Sequence, residues 1–391
     1  MQTPTPSLHH PLRIGFVGCG QITEVHRDGY RLFDLPVVAG TDVSPAAREK
    51  FSAQEPQARV YEQLADLLSD PEVDVLDVSA PHRADIRRPL LEEIVRSGKP
   101  VLLQKPFAHF YADALEYTEL FEKARVPLMI NQNSLFAGGV LEISDAILFH
   151  NSLGRLLSGT ITHLSDFDPG THPWYGKGPR WWLTDMAVHE LAIAHHLLGV
   201  PETVFAVSGR DATQKGVEGD GYFHLILRYA SGQTVLVQEN GAYYGQGEHH
   251  ITLEFHGEKG WAGIAPGKYG TISRRTPDAG PTHEQILTPY RWFPEAFGLT
   301  MHHFQFALKT GQKPLCSAAN NLQLIAILEA AYRSAESGES VRIDSVLGGR
   351  AGQLQGPGGL SGPTDWRPPV PRKDALLLRD YSWATYTPGK I

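Results

Sequence analysis

The chain has little cysteine, no long apolar run and no excess of positive charge. Among its 391 residues there are two cysteines, Cys19 and Cys316, too few for a disulfide framework or a cysteine-based zinc cluster, and a reducing cytoplasmic setting is expected. No stretch approaches the ~20 apolar residues that span a bilayer. A net charge of −8 without a basic run lacks the footprint of a nucleic-acid-binding protein. We therefore expect neither membrane nor nucleic acid as a partner.

What the chain does have is enough length for two domains, since single cores stop growing at about 250–300 residues. Residues 1–11 are polar and rich in proline and predict a flexible N-terminal arm. From 12 to 135 strand and helix patterns alternate, which is typical of a parallel sheet covered on both faces. The strands expected after the first two are 73–79, 100–103 and 127–131, and the helices are 86–97 and 112–124.

From 136 to 346 the pattern changes to strand-like runs joined by short turns, which predicts an α/β domain with a mostly antiparallel open sheet. The runs are 155–164, 203–208, 221–229, 234–239 and 250–255, with later helices at 304–309 and 322–335. Residues 347–373 are dense in glycine and proline and predict an extended connector. The tail to 391 carries Leu376, Leu377, Leu378, Tyr381, Trp383 and Tyr386, so it is expected to pack on its own subunit or on a neighbour.

The most informative segment is a strand, a glycine turn and a helix start between Arg13 and Thr23. Gly18 can supply the tight turn, and Gly20 lets the backbone approach a phosphate. The helix begins at Gln21 and Ile22, where N–H groups and the positive end of the dipole stabilise an anion. The segment predicts a site for the pyrophosphate of a dinucleotide.

Asp42 follows the next apolar strand, about 20 residues after the glycine turn, where a carboxylate can bind a ribose. Its charge accepts a bond from a 2′-OH and repels a 2′-phosphate, so NAD is expected in preference to NADP. The alternative is a tight turn whose Asp42 only caps the helix near Ser44. Thr23 stands where the pattern prefers a smaller residue, and Arg48 can dilute the preference for NAD.

Two further signals carry chemistry. Lys105 follows a buried strand and precedes Pro106, at the sheet edge where ligands of open α/β sheets bind, although a strand-end lysine is idle in most proteins. Asp185 and His189 are four residues apart in a predicted helix that ends at Gly199, so the carboxylate can orient the imidazole as a general base. A solvated helix pair is the alternative. No metal site is expected, because Ile193 stands where a zinc-protease motif needs its second histidine.

Together these segments resemble the Gfo/Idh/MocA oxidoreductases over roughly residues 12 to 345. The resemblance rests on the ordered set of the glycine turn, Ala80-Pro81-His82, Gln104-Lys105-Pro106, Asn131-Gln132-Asn133 and Asp185-x-x-x-His189. It implies a Rossmann domain, a second α/β domain whose open sheet forms the interface of a homodimer or homotetramer, and oxidation or reduction of sugars and polyols with NAD(P). It also implies that Lys105 binds substrate, that His189 exchanges the proton and that Asp185 supports it.

The resemblance also assigns the remaining site residues. The expected cofactor-binding residues are Gly18, Gly20, Gln21, Ile22, Asp42, Ala80, Pro81, His82, Gln104, Lys105 and Asn133. The segment before the dyad offers aromatic faces and a cation, and the expected substrate-binding residues are Lys105, Trp174, Arg180, Trp182, Asp185 and His189. For the tryptophans, core packing is the alternative.

Three positions depart from the family pattern. Gln104 replaces the usual glutamate before the lysine, Asp85 stands where a histidine is common, and Ala192 where an aspartate is frequent. Three functions remain open at this point: an NAD-dependent dehydrogenase of a sugar, anhydrosugar or polyol, an enzyme that uses tightly bound NAD transiently for glycoside cleavage or elimination, and a catalytically silent NAD-binding regulatory protein.

Overall fold

The computed structural model describes residues 8, 10–167, 176–243, 250–265, 269–276, 280–288, 290–353 and 366–372. The chain forms two compact units. Of the described residues, the first unit contains those up to 133, 293–322 and 366–372, and the second contains those within 134–292 and 323–353. This division differs from the predicted domains at 12–135 and 136–346, because residues 293–322 belong to the N-terminal unit.

In the first unit, six parallel strands lie in the order β3-β2-β1-β4-β5-β6, which confirms the predicted Rossmann architecture. The strands are β1 (Ile14–Val17), β2 (Val37–Thr41), β3 (Arg59–Tyr61), β4 (Val75–Val78), β5 (Val101–Gln104) and β6 (Leu128–Asn131). The helices are α1 (Gln21–Leu32), α2 (Pro45–Gln54), α3 (Leu64–Ser69), α4 (Ala84–Arg96) and α5 (Tyr111–Ala124). The strand order changes direction between β1 and β4. Ligands of such open parallel sheets bind at this point, beyond the carboxyl ends of the strands.

The core of this sheet also contains a polar network. Asp77 on β4 is fully buried, and its carboxylate bonds to His26 Nδ1 at 2.7 Å and accepts from the hydroxyls of Tyr30 and Ser79. Asn131 Nδ2 lies 3.3 Å from the other nitrogen of His26. A buried carboxylate is tolerated only when its oxygens are bonded, so the network links α1, β4 and β6 by specific contacts.

Helix α8 (Glu295–Thr310) explains why the chain returns to the first unit. It packs on α1 at a crossing of two glycines, Gly29 and Gly298. A methyl group added at Gly298 would lie 2.3 Å from the carbonyl oxygen of Gly29, so only glycine permits this approach. The predicted helix at 304–309 is the C-terminal part of α8.

In the described part of the second unit, nine strands form one sheet in the order β14-β13-β12-β11-β7-β10-β9-β8-β15. All neighbours are antiparallel except β7 and β10, as predicted for a mostly antiparallel sheet. The strands are β7 (Leu156–Leu164), β8 (Thr203–Gly209), β9 (Tyr222–Arg228), β10 (Thr234–Asn240), β11 (His250–Gly257), β12 (Gly260–Ala265), β13 (Tyr269–Thr276), β14 (Gly280–Leu287) and β15 (Val341–Arg342).

The remaining helices are α6 (Val140–Ser144), α7 (Val188–Leu198), α9 (Ala318–Ser337), in which the division at 322 falls, and α10 (Ile343–Leu347). The predicted connector is partly regular, because 348–353 form a short 3₁₀ helix. Residues 366–372 are packed on the first unit: the Trp366 indole is buried and donates to His302 Nδ1 at 3.1 Å. The tail from 374 onward lies outside the described residues. Among the described helices, none has the length and apolar character needed to cross a membrane.

Candidate active site

The glycine turn after β1 is held against two neighbouring strands. Gly18 has φ +96°, a conformation that favours glycine, and its N–H donates to the carbonyl of Thr41 at 2.9 Å. A methyl group at Gly18 would lie 3.0–3.1 Å from backbone atoms of Ser79 and Ala80. The turn therefore needs glycine both for its φ angle and for its closeness to the chain after β4.

The start of α1 is open at the side where an anion would lie. Gly20 is the N-cap of α1, it offers no side-chain acceptor to the first turn, and a methyl group there would meet no described atom within 4 Å. The first N–H groups of a helix, here those of Gln21 and Ile22, have no partner within the helix. Thr23, the departure from the glycine pattern, is fully buried, and its hydroxyl donates to the Gly20 carbonyl at 2.6 Å. The Thr23 hydroxyl therefore stabilises the turn.

Asp42 accepts two backbone hydrogen bonds at the end of β2. Its Oδ2 accepts from Cys19 N–H at 2.7 Å, and its Oδ1 accepts from Ser44 N–H at 2.8 Å. Each carboxylate oxygen has a second lone pair, so the capacity to accept from a ribose hydroxyl remains. Ser44 is the N-cap of α2, so Asp42 supports that helix start as well. The glycine turn, the open N-terminus of α1 and this carboxylate fit the pyrophosphate and ribose of a dinucleotide.

Arg48 lies beside Asp42 and is not the fully solvated arginine that a helix position suggests. Its Nη1 donates to the Asp42 carbonyl at 2.8 Å, and Nη2 lies 3.5 Å from a carboxylate oxygen of Glu62. The Arg48 side chain is 15 % exposed, and it places a cation next to Asp42, the carboxylate predicted to bind the ribose. A positive charge here is what a 2′-phosphate requires.

The other predicted first-unit residues lie after the carboxyl ends of β4, β5 and β6. Ala80 and His82 are partly exposed and Pro81 is exposed. Lys105 is half-buried, follows β5 and forms a cis peptide bond with Pro106. The amide oxygen of Gln104 accepts from Lys105 N–H at 3.2 Å. Asn133 is buried at the start of a 3₁₀ turn (Asn133–Phe136) after β6. These residues thus share the strand-end edge of one sheet.

Arg87 on α4 is a residue that the sequence pattern did not single out. Its guanidinium is buried and donates to four carbonyl oxygens, those of Ala80 and Gln104 at 3.2 Å, Phe107 at 3.0 Å and Pro106. The segment after β4 and the segment that carries Lys105 are therefore joined by one side chain. His109 was also missed, and its ring lies 4.5 Å from that of His82, edge to face. The sequence gives no signal for the Arg87 contacts, because an arginine in a helix is usually at the surface.

In the second unit, Asp185 and His189 lie on two joined helical segments instead of one continuous helix. Asp185 belongs to a π-helical turn, Trp182–Met186, in which Ala187 N–H bonds to the Trp182 carbonyl at 3.0 Å. His189 lies in the first turn of the regular helix α7, which is capped by Gly199 at the predicted end. Both side chains are buried, and the His189 ring contacts Trp292 edge to face at 5.3 Å. Single π turns are frequent at functional sites.

Two of the expected substrate residues, Arg180 and Trp182, make buried contacts within this unit. Arg180 is buried, pairs with Glu329 at 2.5 Å and lies 4.3 Å over the Tyr332 ring, so its charge is already compensated. Burial alone would raise the pKa of Glu329, but the Arg180 pair outweighs it and lowers that pKa. Trp182 is fully buried and donates to Glu239 at 3.2 Å, which favours the core-packing alternative for this tryptophan. Trp174 lies outside the described residues.

The parallel sheet with its glycine turn defines a dinucleotide-binding protein of the Rossmann class. A family described as "Oxidoreductase family, NAD-binding Rossmann fold" matches residues 12–132, and its partner, "Oxidoreductase family, C-terminal alpha/beta domain", matches residues 150–343. The two matches cover most of the chain. The protein belongs to the Gfo/Idh/MocA oxidoreductase family.

Named relatives in this family act on sugars and polyols. The chain is 27 % identical over 345 residues to a D-apiose dehydrogenase of Paraburkholderia graminis, covering 84 % of this chain and 89 % of that protein. It is 24 % identical over 342 residues to an inositol 2-dehydrogenase of Rhizobium meliloti, covering 85 % and 99 %. A solved levoglucosan dehydrogenase with NADH and levoglucosan has the same fold, with a TM-score of 0.76, 20 % identity and coverage of 85 % and 100 %.

Proposed function

We propose that the protein is an NAD-dependent dehydrogenase that oxidises a secondary hydroxyl of a sugar, anhydrosugar or polyol, or catalyses the reverse reduction. The observation that carries the proposal is that this chain, a member of the oxidoreductase family, has all three features together: the dinucleotide turn at Gly18, Lys105 and the Asp185–His189 segment. Two relatives named above, a D-apiose dehydrogenase and an inositol 2-dehydrogenase, support this substrate class. Bound NAD would supply the acceptor for the hydride.

The chain's own residues have separate roles in this proposal. His189 takes the hydroxyl proton, because a histidine titrates near neutral pH and can serve as general base. Asp185 supports the imidazolium that forms. Lys105 binds the reacting oxygen and stabilises its negative charge as the proton leaves. Trp292, in contact with the His189 ring, limits the orientations of the imidazole. Asp42 and the start of α1 hold the cofactor.

The test is NAD reduction with a panel of monosaccharides, anhydrosugars and inositols, followed by variants on the best substrate. His189→Ala should lower kcat by the ~10²–10⁴ typical of general-base catalysis while leaving NAD affinity nearly unchanged. Asp185→Asn should lower kcat less than His189→Ala does, because asparagine keeps the side-chain shape and removes only the negative charge and its orienting effect on the imidazole. Lys105→Ala should reduce substrate affinity and kcat together. His196→Ala, two turns further along α7, is the matched control and should keep kcat.

Other outcomes would replace the proposal. Tightly retained NAD without net NADH formation would favour transient use of the cofactor for glycoside cleavage or elimination. NAD binding without any turnover on the panel would favour a silent regulatory protein. Near-normal kcat in His189→Ala would remove this mechanism even if the dehydrogenase activity is found.

A further inference from the structure

The second unit contains a buried cluster of one histidine and two glutamates. His163 on β7, Glu190 on α7 and Glu239 on β10 are 2 %, 1 % and 0 % exposed, and their nearest ligand atoms all lie within 4.8 Å of one another. His163 Nδ1 is 3.3 Å from Glu239 Oε2 and 3.6 Å from Glu190 Oε2. The three residues come from three different elements, so sequence spacing does not reveal the cluster.

The carboxylates of this cluster need compensation that the described residues supply only in part. Neither oxygen of Glu190 has a hydrogen-bond partner among the described residues, and the same holds for Glu239 Oε1. Glu239 Oε2 accepts one bond, from the Trp182 indole at 3.2 Å. Buried carboxylates without hydrogen bonds are costly, and two close together also repel each other. The site therefore favours a positively charged occupant.

The two distances from His163 Nδ1 fit a shared cation better than a direct ion pair. Charge-assisted hydrogen bonds between nitrogen and a carboxylate are about 2.7–2.9 Å long, shorter than both distances from His163 Nδ1. Tetrahedral zinc with bonds of about 2.0–2.1 Å separates its ligand atoms by about 3.3–3.4 Å, close to the two observed values. A neutral imidazole, two carboxylates and a divalent cation also sum to zero charge, which suits complete burial.

We propose that His163, Glu190 and Glu239 supply three ligands of a buried site for a first-row divalent cation of the zinc type, with a water molecule as the fourth ligand. The Trp182 indole, bonded to Glu239, is the outer partner that orients a ligating carboxylate. Glu190 follows His189 directly, so the ion ties the helix that carries the proposed base to strands β7 and β10. The proposal does not depend on which substrate the enzyme uses.

The rival state is a metal-free cluster that shares protons. In that state burial opposes a charge on His163, but the two glutamates outweigh it and raise the pKa of His163 to about 10. Burial raises the pKa of Glu239 to about 7. The two states differ in metal content, so the amount of metal bound per chain distinguishes them.

The test uses the full chain without a histidine tag, stripped with a chelator, and zinc chloride alone as the probe. Elemental analysis and calorimetric titration should give about one zinc per chain. Glu190→Gln and Glu239→Gln, which keep side-chain shape, should each weaken zinc binding by at least the roughly 10–100-fold lost when an outer partner is removed. Trp182→Phe removes the outer partner itself and should weaken zinc binding by about 10–100-fold. His224→Gln on β9, an exposed histidine, is the control and should bind zinc as the wild type does.

Two readouts keep the test independent of variant folding. Cobalt added to the stripped wild type should give the visible absorption of a tetrahedral site, and zinc should displace it. Zinc should raise the Tm of the wild type, since an ion that binds only the folded state stabilises it, and should leave the Tm of Glu190→Gln unchanged. A wild type that binds no zinc stoichiometrically, or a Glu190→Gln protein that keeps a full equivalent, would overturn the proposal in favour of the proton-sharing cluster.

Discussion

Asp42 shows how one side chain can serve both the fold and the cofactor. Its two oxygens accept from Cys19 N–H in the glycine turn and from Ser44 N–H at the start of α2, and each oxygen keeps a second lone pair for the proposed ribose contact. The cap interpretation and the ribose interpretation of the sequence are therefore compatible. An alanine at this position would remove structural bonds as well as the charge.

For this reason the cofactor prediction needs two variants. The wild type should bind NAD more tightly than NADP. Asp42→Asn keeps one amide oxygen as acceptor. It should reduce the difference between NAD and NADP affinity by improving NADP binding, because the negative charge that repels a 2′-phosphate beside Arg48 is removed. Asp42→Ala should also weaken NAD. Titration of both cofactors by fluorescence measures this, and Arg48→Ala in the Asp42→Asn background should abolish the gain. Equal or tighter NADP binding by the wild type would contradict the prediction.

Arg87 leads to a second prediction at this scale. Arg87→Lys replaces a planar fork that donates to four carbonyls with a single ammonium, so the segments after β4 and β5 lose a common partner. We expect lower Tm and a lower kcat, since Lys105 lies on one of these segments. Arg88→Lys is the matched control, because Arg88 is an exposed neighbour that pairs with Asp113 and Glu116 at the surface. Equal effects of the two changes would show that the carbonyl contacts are unimportant.

At the scale of elements, the crossing of α1 and α8 depends on two glycines that face each other. Gly298→Ala places a methyl group within 2.3 Å of the Gly29 carbonyl oxygen and 2.4 Å of the Phe33 ring. Overpacking of this kind typically costs about 1–3 kcal/mol, which should appear as a lower midpoint in urea unfolding. Gly352→Ala, where an added methyl group would meet no described atom within 4 Å, should leave the midpoint nearly unchanged. A Gly298→Ala protein as stable as the wild type would show that the helices can separate without cost.

The strands missed by sequence reasoning have a local cause. β12 contains Gly260 and Gly263, and β13 contains Gly270 and, near its end, the adjacent Arg274 and Arg275, so neither shows the apolar alternation that marks a half-buried strand. Their position is decided by pairing, because each forms a continuous antiparallel ladder with the strand before it. Long-range pairing of this kind does not appear as a pattern within one segment.

At the scale of the whole molecule, one face of the second sheet carries exposed apolar side chains. Leu157, Val207, Ile226 and Leu236 lie on neighbouring strands and are 41–52 % exposed, and Ile226 is paired with Leu236. Contiguous apolar patches on a soluble domain mark interaction sites. The sequence led us to expect a homodimer or homotetramer through this sheet, and the patch gives that expectation a location to test.

The wild type should sediment as a dimer or tetramer, and Leu236→Glu should shift it toward the monomer because a buried charge opposes association. Ile226→Glu should act in the same way. Val43→Glu, at a fully exposed apolar position in the first unit, is the control and should leave the assembly intact. A monomeric wild type, or an assembly unaffected by Leu236→Glu, would exclude this face as the interface.

The sequence by itself determined the Rossmann unit, the mostly antiparallel character of the second sheet and the family. These follow from local features, namely glycines at a strand-to-helix turn, apolar alternation and short motifs in a fixed order. Only the tertiary structure decided that residues 293–322 belong with the N-terminal unit, that Arg180 and Trp182 bond to buried glutamates, and that Arg87 joins two strand ends. It also brought His163, Glu190 and Glu239 together. Each of these depends on residues far apart in the chain, whose contacts are set by packing of complete elements and carry no short-range signal.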